Sequence, residues 1–301
     1  MSLLVVGSIG YDTVITPASS GKDLLGGSAT YCSIAASNFT HVFLVGVVGN
    51  DFKREHLNLF QNRDINITGL EIDPSDKTFR WSGRYFDKTM NTRETLSTEL
   101  NVLTNFKPKL TAEHKQMDFV FLGNMTPDIQ VDTLEQLSIK PKVIGLDTMD
   151  FWIESSKSQL TKAINMVDVV FMNEEEILLY SKNDNLVDSA RSIINLGPWA
   201  VFAKRGEKGS MLITKNSVFA APVFPVKTVA DTTGAGDCFA GGVMGYLSAK
   251  NTISLDALEK ATIVGSVMGS FAVETFSIEG LQNASPEKVS NRINHLLATR
   301  S

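Results

Sequence analysis

The chain has 301 residues, of which 43% are hydrophobic and 20% charged. That is enough apolar content to build a core, and it excludes a disordered chain. A formal net charge of -5 gives no basic footprint for nucleic acid, and no apolar run is long enough to cross a bilayer.

The N-terminus, Met1-Ser-Leu-Leu-Val-Val-Gly, lacks the basic start and cleavage site of a signal peptide and reads as a first strand over residues 3–6. A cytoplasmic protein is expected. The strand runs into Gly7 and Gly10 without the third glycine or the helix of a dinucleotide fingerprint, so a Rossmann dehydrogenase is disfavoured. Asp12 follows at the carboxyl end of the strand, where open α/β sheets place ligand contacts. A carboxylate there can accept two hydroxyl hydrogen bonds from a polyol, or can simply be a turn residue. Residues 12–16 read as extended. Gly26-Gly27 then opens a helix over residues 28–38, with Ser28 as a candidate N-cap and with a substrate lying against the paired glycines as the functional alternative.

A strand over 42–48 and a helix over 51–61 come next. Residues 78–97 break the rhythm, because polar and apolar residues alternate there around a turn at 87–91. That is an antiparallel hairpin with one wet face, read with 12–16 as a small sheet projecting from the main body. The buried-strand pattern resumes at 119–122, 143–146, 167–172, 200–203 and 211–213. Helices are predicted over 156–165, 174–181 and 187–195. Continuous apolar strands separated by helices indicate a mostly parallel sheet covered on both faces. The last third is helical, over 237–249, 254–275 and 286–298.

Three stretches in this second half point to chemistry. Asn173-Glu-Glu-Glu176 follows an apolar strand. It suits either simple capping of a helix start or, one turn apart, Asn173 and Glu176 organising the water of a magnesium ion. Lys204-Arg-Gly206-Glu-Lys-Gly209 joins two strands and offers glycines for close approach of a nucleotide and a lysine for phosphate charge. Asp231-Thr-Thr233-Gly234-Ala235-Gly236-Asp237 is a tight turn between two acids that opens a buried helix. The first amides of a helix attract anions, so Asp237 falls beside a phosphate site, where a carboxylate makes sense as a base during phosphoryl transfer. Cys238 adjoins it, but Cys238 and Cys32, the two cysteines, belong to no metal-binding pattern and read as buried free thiols. Walker A and protein-kinase signatures are absent.

In this order, the Asp231–Asp237 stretch, Gly26-Gly27 and Asn173-x-x-Glu176 resemble the ribokinase-like, or PfkB, family of carbohydrate and nucleoside kinases. The resemblance spans essentially the whole chain and implies one α/β domain over 1–301. That domain is a three-layer α/β/α sandwich with a mostly parallel central sheet, and a small β-sheet lid is inserted at about 12–16 and 78–99. It implies an ATP-dependent sugar kinase, with a nucleoside kinase of the same family as the alternative. Asp237 would be the general base and Gly234, Ala235 and Gly236 the anion hole. Asp12, Gly26, Gly27 and Tyr31 would face the substrate, and Asn173, Lys204, Gly206 and Gly209 the nucleotide. Glu176 would serve magnesium through water, and Asp231 and Thr233 a monovalent cation such as potassium. A homodimer through the lid, using Phe79, Trp81 and Tyr85, is also compatible.

The chain departs from the sugar-kinase pattern at two points. Tyr31 stands where many sugar kinases carry Asn, and Asp147-Thr-Met-Asp-Phe151-Trp152 lacks the Asn and Arg of their Asp-x-Asn-x-Arg element. Tyr31, Phe151 and Trp152 are therefore read as stacking candidates that keep nucleosides open. Arg80, Arg84 and Arg93 on the hairpin are candidates to meet phosphate.

Overall fold

Apolar residues in the central strands are buried on both faces, and this forces helices onto both sides of one sheet. The computed structural model describes residues 1–87, 90 and 93–299. The strands in chain order are β1 (Ser2–Val6), β2 (Gly10–Ile15), β3 (Ser20–Gly26), β4 (His41–Gly49), β5 (Ile65–Asp73), β6 (Phe79–Tyr85) and β7 (Arg93–Glu99), followed by β8 (Phe119–Leu122), β9 (Val143–Asp147), β10 (Val169–Asn173), β11 (Ala200–Lys204), β12 (Ser210–Thr214) and β13 (Val218–Ala221). The helices are α1 (Ser28–Ala36), α2 (Arg54–Asn62), α3 (Pro127–Glu135), α4 (Asp150–Ser155), α5 (Lys157–Ile164), α6 (Glu174–Ser181), α7 (Leu186–Ile194), α8 (Ala235–Lys250), α9 (Leu255–Ala272), α10 (Glu279–Gln282) and α11 (Pro286–Ala298).

The large sheet has the order β13-β12-β11-β10-β9-β8-β1-β4-β5. It is parallel from β5 to β11, and β12 and β13 are antiparallel. Side-chain alternation divides the core in two. Leu3, Val5, Phe119, Phe121, Phe171 and Phe202 point into one cluster with α1, α8 and α9. Leu4, Val6, Val120, Leu122, Val170 and Met172 point into the other with α5, α6 and α7. The expected sandwich is therefore present. No helix of the described residues is long and apolar enough to cross a membrane.

The second sheet has the order β3-β2-β6-β7. The expected hairpin is β6 and β7, antiparallel, and residues 12–16 contribute β2, which pairs with β6 in parallel. Part of the predicted 87–91 turn lies outside the described residues. Periodicity missed β3, β5, β13, α3, α4 and α10. The first three are edge strands, half wet and interrupted by polar residues, so they lack the apolar run that marks a central strand.

The hairpin's aromatic residues are partly covered by their own chain. Tyr85 is buried with Val14 and Met90, and Trp81 packs on the same cluster. Phe79 covers Gly10 so closely that a Cβ there would collide with it. Tyr85 is therefore taken up by its own chain, while Phe79 and Trp81 are half-buried and keep part of their surface exposed.

Candidate active site

The candidate residues gather at the carboxyl ends of the parallel strands, where the small sheet folds over the start of α8. β9 ends on Asp147, β10 on Asn173 and β11 on Lys204. Asp147 takes Lys204 Nζ on both carboxylate oxygens, at 2.9 and 2.7 Å, spanning the strand between them. The Asp147 side chain is buried and that of Lys204 is 17% exposed. Burial works against the Lys204 charge, but Asp147 and then Glu176 outweigh it and hold the ammonium above its usual pKa. Lys204 is thus committed to a carboxylate.

α8 begins without a side-chain cap. Gly234 takes the left-handed conformation at its N-cap, with φ 74°, and the Tyr31 ring lies where a Cβ would be. Glycine is required there on both grounds. Tyr31 is only 2% exposed. It is the floor under the turn, so the stacking expected of it has no exposed ring face. The Ala235 amide closes the turn onto the Thr232 carbonyl at 3.2 Å, and Gly236 sits against Lys204, with 3.1 Å from an ideal Cβ to Nζ.

Asp237 lies in the first turn of α8. Burial first, then Asp147, raise its pKa to about 7, while Lys204 and Arg93 pull it down. Asp12 faces the same space from β2. Burial first, then Asp231 and Asp237, push it to about 8, against Arg93. A Cβ on Gly26 would collide with the Asp12 carboxylate, so that glycine keeps the acid in place. Gly27 is the N-cap of α1, with φ 96°. The expectation that Ser28 caps this helix is corrected, because Ser28 is its first residue. The Ser28 hydroxyl accepts the Ser8 amide at 3.2 Å, and the Ser28 amide donates to the Ser8 hydroxyl at 3.0 Å. This stitches the end of β1 to α1.

Asp231 is 1% exposed. Its Oδ1 accepts the Thr233 amide at 2.8 Å, and its buried Oδ2 has no donor in hydrogen-bonding geometry. The small sheet rests on this loop. The Tyr85 hydroxyl is 3.0 Å from the Thr233 hydroxyl, and the Thr232 hydroxyl donates to the Met90 carbonyl at 3.2 Å.

Asn173 and Glu176 form a reciprocal capping box at α6. The Glu176 amide donates to Asn173 Oδ1, and the Asn173 amide donates to Glu176 Oε2, both at 2.7 Å. The capping reading therefore holds in full. Burial, ahead of the opposing pull of Lys204, raises Glu176 to about 7. Gly206 and Gly209, with φ 56° and 82°, shape the loop after β11. A Cβ on Gly209 would strike the Ala221 carbonyl of β13.

Of the three hairpin arginines, Arg80 is bound to Asp51 at 2.8 Å and to Asp23, and lies over the Tyr11 ring. Arg93 is the one whose charge acts on Asp12 and Asp237. Phe151 is exposed, and the Trp152 indole donates to Asn124 Oδ1 at 3.0 Å. Cys238 is buried, and burial ahead of Asp237 raises its thiol well above the usual range, which disarms it as a nucleophile. The Asp147 pairing was missed from sequence, since Asp147 and Lys204 are 57 residues apart and only strand order brings them together.

The structure thus brings together a raised acid at a helix N-terminus, a second acid across from it and a small sheet folded over both. Residues 3–284 match the model of the pfkB family carbohydrate kinases. A cytidine kinase of Thermococcus kodakarensis is 28% identical over 258 residues, covering 82% of this chain and 88% of its own. A nucleoside kinase of Methanocaldococcus jannaschii is 25% identical, covering 91% and 87%. A fructokinase of Klebsiella pneumoniae is 29% identical but covers 46% and 45%. The crystal structure of the M. jannaschii nucleoside kinase, described as an archaeal member of the ribokinase family, superposes with a TM-score of 0.77 at 21% identity, covering 98% of each chain, so the fold is ribokinase-like. With a family match across nearly its whole length, the chain belongs to the pfkB family and is a phosphotransferase acting on an alcohol group.

Proposed function

We propose that the protein transfers the γ-phosphate of ATP to a hydroxyl of a nucleoside. The observation that carries this is the pairing of Asp237, buried and raised to about 7 at the start of α8, with Asp12 across the same space. A pKa near 7 suits a general base at neutral pH. Asp12 with Gly26 and Gly27 would hold the ribose hydroxyls, since a carboxylate can accept two of them.

In the reaction the acceptor O–H gives its proton to the Asp237 carboxylate and its oxygen bonds to the γ-phosphorus. The bond from that phosphorus to the bridging oxygen breaks, and ADP leaves with the electron pair. The Gly234 and Gly236 amides would stabilise the charge on the phosphoryl oxygens, and the Ala235 amide would join them on leaving the Thr232 carbonyl. Asn173 and the loop of Gly206 and Gly209 would line the nucleotide side, with Lys204 fixing Asp147 beneath it.

Magnesium, when bound, would screen the phosphate charge. No group of three or more His, Cys, Asp or Glu side chains that could hold a metal exists among the described residues. The donor set fits an ion carried by phosphates and waters, with Glu176 reaching it through water. The orphaned Oδ2 of Asp231, beside Thr233, fits a monovalent cation that braces the turn.

The nucleoside-kinase matches cover 82% and 91% of this chain and the fructokinase match 46%, which supports nucleosides over fructose, although an inositol 3-kinase of Arabidopsis thaliana also covers 90% of it at 25% identity. A coupled ADP assay with cytidine, adenosine, inosine, ribose and fructose tests the proposal. Turnover is expected with at least one nucleoside and higher in potassium than in sodium. Turnover with fructose alone would overturn the acceptor assignment, and equal rates in the two salts would count against the cation.

A further inference from the structure

All ribonucleosides share a ribose, so Asp12, Gly26 and Gly27 cannot tell one from another. Discrimination needs a group that faces the base. Strand order puts β8 between β1 and β9, so the carboxyl end of β8 opens beside the Ser8–Ser28 crossing. The Gly123 amide donates to the Val6 carbonyl at 2.8 Å. The buried Gln130 amide bridges the carbonyls of Gly123 and Asp147, at 3.0 and 2.9 Å. Asn124 therefore leaves the sheet from a fixed point. Its carbonyl accepts the Ser28 hydroxyl at 3.3 Å, one residue past the Gly26-Gly27 pair.

The half-buried Asn124 side chain has one orientation. The Trp152 indole N–H can only donate, so the amide oxygen must face it, at 3.0 Å. The amino group then lies 3.1 Å from Met149 Sδ, a weak acceptor. An amide nitrogen carries two hydrogens and the thioether takes one of them, which leaves one for a ligand. The accepting atom is thus spent inside the fold and the group donates outward. Phe151, 55% exposed, meets the Trp152 ring edge-on at 4.8 Å, so aromatic surface flanks the amide.

We propose that Asn124 determines nucleobase specificity by donating its free N–H to a carbonyl or an unprotonated ring nitrogen of the base, with Trp152 as its positioning residue. The proposal rests on the nucleoside reading of the acceptor site. A base brings an acceptor on its edge and a flat face for the aromatic surface. A free sugar hydroxyl can accept the same hydrogen but brings no such face.

Steady-state kinetics with cytidine, uridine, adenosine and inosine on Asn124→Asp and Trp152→Phe test this. Asn124→Asp keeps an oxygen for the indole and replaces the donor by an acceptor. It is expected to lower kcat/KM for the preferred nucleoside by about 10–100-fold, mainly through KM, because the base acceptor is left facing an acceptor. The order of preference among the four should change, with ATP KM within about 3-fold of the parent. Trp152→Phe keeps an aromatic ring and loses the N–H, so the amide is free to turn over. Preference for the best nucleoside over the second should then fall by about 3–10-fold, the net worth of one neutral hydrogen bond, at near-parental kcat. A purely structural role predicts an equal loss with all four nucleosides and an unchanged order. That outcome, or parental KM in Asn124→Asp, would overturn the proposal. A parent inactive on all four would overturn the nucleoside reading and this proposal with it, whereas an active parent with unchanged preference in the variants overturns this proposal alone.

Discussion

Asp12 illustrates how position turns an ordinary carboxyl into a functional group. It is 4% exposed, faces Asp231 and Asp237, and is raised to about 8. A carboxyl with a folded pKa above its unfolded value holds its proton longer in the folded state. Stability from this group is therefore present at low pH and lost as pH rises from about 4 to about 8. Replacing Asp12 with Asn removes the ionisation and keeps the shape. The expected result is a melting temperature gain over the parent that is about 3 °C larger at pH 8 than at pH 5, measured without ligands. A gain that is equal at the two pH values, or larger at pH 5, would contradict the burial of an ionisable Asp12. Glu176 and Asp237, both near 7, add to the same trend.

At the scale of elements, two helix starts do different work although each carries an acid in its first turn. α6 is closed by its own side chains, with Asn173 and Glu176 satisfying each other's amides. α8 has no side-chain cap and begins on a left-handed glycine, which leaves its amide end for an anion. Asn173→Ala should cost about 1 kcal/mol in denaturant unfolding, the usual worth of a cap. No loss of stability would show that the box is dispensable. From sequence the two readings of Asn173-x-x-Glu176 could not be separated, since a capping box and a water-mediated metal contact use the same spacing. The α8 turn was legible because only a few residue types tolerate its geometry. Ser28 was misread as a cap because its partner, Ser8, is 20 residues away across a strand–helix crossing.

Over the whole molecule, the central sheet could be read from strands that are apolar on both faces, and the order of motifs along the chain fixed which strand ends meet. The sequence did not reveal contacts made across that order. The Asp147–Lys204 pair joins β9 to β11, and Tyr85, with the half-buried Trp81 beside it, packs inward because the small sheet folds back onto Val229, Thr233 and Phe276. Tyr31 likewise passes from candidate ligand to buried support once α1 packs against α8. These contacts assemble a site in which one acid at the start of α8 is poised near neutrality. The pH dependence of kcat/KM for the parent and Asp237→Asn, in the ADP assay, tests that claim most directly. The parent profile is expected to rise with pH through about 7, as Asp237 loses its proton, and the variant to be about 10²–10⁴-fold slower and to lack this rise. A variant with parental turnover and the same profile would contradict it.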